Sequence, residues 1–523
     1  MATRSPNQIL EDVSSRFQRA EADFHRAYWD SQIEVNADND RRREELELEV
    51  RRLKGDRDIY EMVGEALEDE VHDPVVKRQL EILRLSLTAN QMDEKDRAEV
   101  VRLGSMIESD FASFRAQVGR SSFSDNEIEE VLRTSNDSAY RQEVWAASKQ
   151  VGNRVAGPVR ELVRLRNRVA RDLGFIDYYR MALELQELSE EWLFERLDEL
   201  DEVTVAPFAQ WKTTVDRSLS ERFGTDGLMP WHYSDPFFQH APPDGRLTLD
   251  GYFADAVAPA LAERTFAGWD IDISNILKAS DLYPRELKCQ HAFCMDIDRS
   301  GDIRILANVV PGERWIEVML HESGHAAYDA EIDPDLPWVL RRAAHTFVTE
   351  AIAILSGDLL RDPLWLTRIA GVAKSDVEAI SSQLRAARAA QKLTFVRWGL
   401  LMCHFERDLY SDPEIDLDSR WWELVERFQL VSPPHDPPPG AWASKIHLAV
   451  APVYYHNYLL GEMLAAQLRA TVESQSGDLA GNNAAGRFLV ERVFRHGQLM
   501  RWDALVESAT GGRLSPASFA AYL

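Results

Sequence analysis

At 523 residues and 59.7 kDa, with 45% apolar and 28% charged residues, the chain has the composition of a folded globular protein and not of a disordered one. Sixty Lys and Arg against 87 Asp and Glu leave a net charge of −27, which repels phosphate backbones and argues against nucleic acid as a partner. No window approaches the ~18 uninterrupted apolar residues of a membrane span, so no membrane association is expected.

The opening MATRSPNQILEDVSSRF is charged within its first eleven residues and has no apolar core, so no secretory signal is expected. Helical periodicity comes next. Leu46, Val50 and Leu53 recur at i, i+4, i+7 within RRREELELEVRRLKGDRD, and the surrounding charges read as a solvated helix face. Similar patterns cover roughly 75–120, 125–180 and 190–222, and a turn-rich stretch at 228–246 interrupts them. No internal repeat or low-complexity linker divides the chain, so one continuous helical body with two lobes is expected. The β signal lies at 287–310, where LKCQHAFCMDI and IRILANVV flank DRSGD and read as two strands around a turn. Cys289 and Cys294, five apart in the first of these strands, would point to opposite faces. With Cys403 they form no disulfide framework, and a reducing, cytoplasmic location is expected.

The hairpin leads into WIEVMLHESGHAAYDAEID, which contains His321-Glu322-Ser323-Gly324-His325. Residues four apart share a helix face, so two imidazoles reach one metal while Glu322, one step round, can meet an attacking water. Gly324 weakens an isolated helix, and its small size permits another backbone to approach. Twenty-five residues after His325, HTFVTEAIAILSG carries Glu350 as its only acid. A lone carboxylate in an apolar run must be paired or ligate a metal, and an ion pair with Arg341 or Arg342 is the competing explanation. Two His and one Glu with a position left for water is the coordination of a hydrolytic zinc site, one Zn2+ per chain.

H-E-x-x-H followed by Glu350-Ala351-Ile352 resembles the gluzincin peptidases of the angiotensin-converting-enzyme family, with thimet-type oligopeptidases as neighbours. FIDYYRMALELQELSEEWLFERLDEL, LMCHFERDLYSDPEI and RWWELVERFQLV resemble its helices, and the likeness covers about 170–470. The resemblance implies a mostly α fold, a helical ellipsoid with two lobes around a deep substrate channel and a small β-hairpin beside the zinc helix. It implies a single peptidase domain over 1–523, with a helical lid in about 1–120 and a catalytic core in about 280–470. Within PPHDPPPGAWASKIHLAVAPVYYHNYLLGEM, Lys445 would bind the substrate's C-terminal carboxylate with Tyr455 assisting. His447 and Tyr458 would donate to the oxyanion of the attacked carbonyl, and Tyr454 reads as ordinary aromatic core. The strand at 289–295 would place His291 and Ala292 against an extended peptide by strand addition. Gln239 loosely resembles the family's carboxylate-binding glutamine. The remaining histidines, His345 among them, read as structural.

Three departures stand out. The spacing from His447 to the tyrosines is one residue longer than in the angiotensin-converting enzymes. The arginine before their final tyrosine is Asn457 here, which puts chloride activation in question. The acid four residues after the glutamate ligand is Ile354, so whatever orients His321 comes from elsewhere. The implied activity is a zinc metallopeptidase that releases C-terminal dipeptides from short peptides. A thimet-like endo-oligopeptidase is the alternative, and a catalytically inactive helical binding protein a third reading. The sequence leaves the oligomeric state open, and a monomer is compatible with it.

Overall fold

A computed structural model describes residues 5–68, 71–242, 247–253 and 257–523. Helices dominate. Strand pairing among these residues is confined to two antiparallel two-stranded sheets and one isolated bridge, so the fold is of the mostly helical class. No described helix is long and apolar enough to cross a membrane. The three cysteines are free thiols. The chain forms two compact units, one from Met1–Gln91, Leu247–Arg385 and Leu460–Phe519, the other from Met92–Arg246, Ala386–Leu459 and Ala520–Leu523.

The first unit opens with a helix at Pro6–Ile33, started by a Ser5–Gln8 capping box and a proline in its first turn. Its apolar stripe of Ile9, Leu10, Val13 and Phe17 packs with Ile59, Val63, Leu80, Leu83, Leu87 and Val339 into one buried cluster. The charged run forms the helix Ala37–Lys54, which buries no residue completely; Leu46, Val50 and Leu53 are half-buried and the charges face water. A buried acid ties these parts together. Glu21 accepts from Lys54 at 2.9 Å, from Arg342 at 3.1 Å and from Arg299, and these cations hold its carboxyl well below the usual carboxylate range against the cost of burial.

The same unit holds the expected hairpin. Strands Phe293–Asp296 and Ile303–Leu306 pair from Phe293 opposite Leu306 to Asp296 opposite Ile303, and both pack on the helix Glu313–Ala330. The first strand is shorter than the sequence suggests. Residues 289–292 are not in it, so Cys289 precedes the strand and only Cys294 belongs to it. The cause is Lys288, whose buried ammonium gathers the carbonyls of Asp281, Tyr283 and Ala307, while Leu287 takes φ +61°. A chain wrapped around a cation cannot also be extended. Its neighbour Cys289 donates its N–H to Gln32 O at 2.9 Å.

In the second unit a small hairpin, not expected from the sequence, pairs Ala116–Val118 with Ser121–Phe123. Long helices come after it at Gln150–Asp172 and Glu190–Phe223. Buried tryptophans Trp145, Trp398, Trp421 and Trp442 form much of its core. Of the turn-rich stretch at 228–246, residues 243–246 lie outside the described residues. The proline-rich segment before Gly440 leads to a 3-10 turn at Ala441–Ser444 and a short helical turn at His447–Val450.

Candidate active site

Two helices of the first unit bring together a group of side chains that could hold a metal ion. His321 and His325 project from Glu313–Ala330, and Glu350 from Thr346–Gly357. The second helix starts where the His345 ring accepts the Phe347 N–H, which gives that histidine a structural task. Glycine sets the distance between the helices. A Cβ on Gly324 would lie 2.8 Å from Ala353 Cα and 3.1 Å from Ile352 O, so only glycine allows this approach. From a third helix, His456–Ser476, Gly461 backs the glutamate; a Cβ there would meet Glu350 Cγ at 3.1 Å.

One ligand atom from each of His321, His325 and Glu350 lies within 4.8 Å of the others. His321 Nε2 stands 3.6 Å from Glu350 Oε1, and His325 Nε2 stands 3.8 Å from Glu350 Oε2. Ligands on a tetrahedral zinc are separated by about 3.3 Å, close to this spacing. Burial pushes the His321 imidazole down to about 4 and the His325 imidazole to about 3, so both are neutral at pH 7 with a lone pair to offer. Burial pushes Glu350 up to about 8, with Glu322 and Glu462 adding repulsion. A pocket of buried carboxylates and neutral imidazoles fits a divalent cation. The competing ion pair is not formed: Arg341 donates to Leu336 O at 2.7 Å and Arg342 to Glu21.

The support around the group carries no signature in the sequence. Thr349 Oγ1 lies 2.8 Å from His325 Nδ1 and fixes that ring. The charge of Asp358, eight residues after Glu350, raises the basicity of His321 against the larger cost of burial, where the sequence has Ile354 in the family's acidic position. Burial pushes Glu322 up to about 7, and the backbone N–H of Cys294, on the strand Phe293–Asp296, holds it down. A threonine beside Glu350 and an acid at a helix C-cap make no pattern of their own in a single sequence.

The second unit gathers another set. Lys445 Nζ donates to Gln239 Oε1 at 2.9 Å and sits over the Phe237 and Trp398 rings at 5.2 and 5.4 Å. Gln239 is held there because the Asp235 carboxylate collects the N–H groups of Phe237, Gln239 and His240. Burial lowers the Lys445 ammonium to about 8, with Asp235, Glu129 and Asp125 pulling it back up. The His447 ring lies 5.2 Å from Tyr455, and Tyr455 lies 5.7 Å from Tyr458. Among these tyrosines Tyr455 is the buried one, at 4% exposure, whereas Tyr454 and Tyr458 are half-buried. Tyr454 is therefore not the core member of the group, because the turn at Val453 faces it outward and its neighbour inward. Gln290 and His291 are exposed and Ala292 half-buried, all ahead of the strand expected to carry them.

A mostly helical chain with two histidines and a glutamate on paired helices has the architecture and donor set of a gluzincin metallopeptidase. The family model described as angiotensin-converting enzyme matches residues 2–231 and 268–523, and the chain belongs to that family. Gln239 falls in the segment between the two matched stretches. A search among curated proteins finds no match to the chain.

Proposed function

We propose that the protein is a zinc-dependent peptidyl-dipeptidase, with the whole chain acting as one peptidase domain on short peptides. His321, His325 and Glu350 would hold the ion. Zinc supplies Lewis acidity when bound, bringing the pKa of water from about 15.7 toward 7 and polarising a carbonyl. The remaining work belongs to the chain. Glu322, steadied by the Cys294 N–H, takes the proton of the attacking water and delivers it to the departing amine. His447 and Tyr458 donate to the oxyanion of the tetrahedral intermediate, as the family resemblance assigns them. Lys445 holds the substrate's terminal carboxylate beside Gln239 and Tyr455, and His291 and Ala292, which precede the strand Phe293–Asp296, would meet the peptide backbone from a loop, as the family resemblance assigns them.

The contact between Lys445 and Gln239 carries the dipeptidase reading over internal cleavage. A lysine kept among aromatic rings beside an amide is a cation poorly compensated by water and preorganised for an anion. Mass spectrometry of products from paired free-acid and C-terminally amidated peptides, with and without a chelator, tests the reading. The expected result is dipeptides from the free acids alone, abolished by the chelator. Internal fragments from both peptide forms favour the endo-oligopeptidase, and no products from zinc-loaded protein favour the inactive binding protein.

A further inference from the structure

We propose that Glu406 is a positioning residue whose carboxyl holds Val453 in the left-handed region of backbone space, and through that turn sets Tyr455 and Tyr458. The inference rests on the peptidase role proposed for Tyr458.

A strained residue stands in a telling place. Val453 has φ +54°, a region that β-branched residues almost never adopt. Such a backbone persists only when its surroundings over-determine it. Here they do. The Val453 N–H donates to Glu406 Oε1 at 2.7 Å, and valine and glutamate are 2% and 3% exposed, so no water competes for the bond. Behind the turn, Asn457 Nδ2 donates to Tyr454 O at 3.1 Å and to Gln186 Oε1 at 3.4 Å. Gln186 in turn reaches Val453 O at 3.5 Å.

The tyrosine group lies immediately after this turn. Tyr455 is two residues on, and its carbonyl accepts the Tyr458 N–H at 3.2 Å in the first turn of the helix His456–Ser476. A change of φ at Val453 swings everything after it, beginning with these two side chains. The segment from His447 to these tyrosines is also the one whose spacing runs one residue longer than in the family pattern that this chain resembles. Glutamate suits the task by length and burial. Burial pushes its carboxyl up to about 8 against the pull of the Val453 N–H and Arg166, and glutamine would offer an oxygen at the same reach.

The test measures kcat, KM and zinc content of the full-length, zinc-loaded protein on a free-acid peptide. Glu406→Ala should lower kcat about 10- to 100-fold, the scale of a misplacement near 1 Å, and raise KM on the free acid because Tyr455 shifts as well, with zinc content little changed. Glu406→Gln should restore most of the loss. Adding Val453→Gly to Glu406→Ala should restore it too, because glycine takes the left-handed region without a clamp. In a Tyr458→Phe background, Glu406→Ala should lower kcat by no more than about threefold further, since its effect on kcat acts through the group already removed. Wild-type kcat in Glu406→Ala, no recovery with Val453→Gly, or full additivity with Tyr458→Phe would each overturn the proposal. Should Glu406→Ala fail to fold, Glu406→Asp, which withdraws the acceptor by one methylene, replaces it with the same expectations. If Tyr458→Phe itself leaves kcat unchanged, the role of Tyr458 has failed. If Tyr458→Phe is impaired and Glu406→Ala is not, the clamp alone has failed.

Discussion

The candidate metal group of the first unit and the lysine–tyrosine group of the second are built by opposite means. His321, His325 and Glu350 stand in the middle of regular helices, and their geometry arises from a four-residue spacing and one glycine contact. Lys445, His447 and Tyr455 stand on a run of short turns held by buried partners far away in sequence, Asp235 through Gln239 and Glu406 through Val453. Helix geometry is simple to specify and hard to perturb by distant changes. Turn geometry depends on its clamps, so distant substitutions should act on the second group and close-packed ones on the first.

The largest expected effect belongs to the first region and separates chemistry from metal binding. Glu322→Gln removes the proton acceptor and should lower turnover about 10²- to 10⁴-fold while zinc content and melting temperature stay as in the wild type. Turnover within about tenfold of wild type would take Glu322 out of the mechanism. Next comes the spacing between helices. Gly324→Ala puts a methyl group 2.8 Å from Ala353 Cα and should cost about 1–3 kcal/mol by overpacking. As the helices part, Glu350 moves away from both imidazoles, so a chelator competition should find weaker zinc binding along with a lower melting temperature. Unchanged affinity would mean that the helix contact does not set the ligand spacing. Thr349→Val, which removes the hydroxyl from His325 Nδ1, should weaken zinc binding about 10- to 100-fold with little loss of stability. An unchanged zinc titration would reduce Thr349 to a passive neighbour.

The same contrast explains what could be read without coordinates. The helix over 313–330, the helix carrying Glu350 and the hairpin around DRSGD come from periodicity, an isolated acid and a turn, all local signals. Gly324 as a point of close approach was legible too, since a glycine between two ligands has few other uses. The extent of the strand was not, because a buried ammonium at Lys288 overrides the alternation of LKCQHAFCMDI. Strands of three residues at 116–118 and 121–123 are too short to show any alternation. Which tyrosine turns inward depends on the sign of one φ angle at Val453, and no composition rule expects a valine there. Thr349, Asp358 and Gly461 act through contacts that form only once the helices pack.

The smallest expected effect tests the second region through Lys445. Lys445→Ala should raise KM about tenfold on free-acid peptides, with kcat little changed, since the carboxylate is held in ground and transition states alike. On amidated peptides the substitution should change nothing. A pH series refines this without any substitution. Only the protonated amine attracts a carboxylate, and burial has brought it to about 8, so the charge is present below that pH and lost as pH rises through it. The ratio of kcat/KM for free acid over amide should therefore be flat near pH 7 and fall several-fold by about pH 9, tracking the free enzyme's ammonium. Taking the ratio cancels every ionisation that serves both substrates, Glu322 and the imidazoles included. Lys445→Ala should leave the ratio low and independent of pH. A wild-type ratio that stays constant to pH 9, or one that still falls in Lys445→Ala, would place carboxylate recognition on another group and move the endo-oligopeptidase reading ahead.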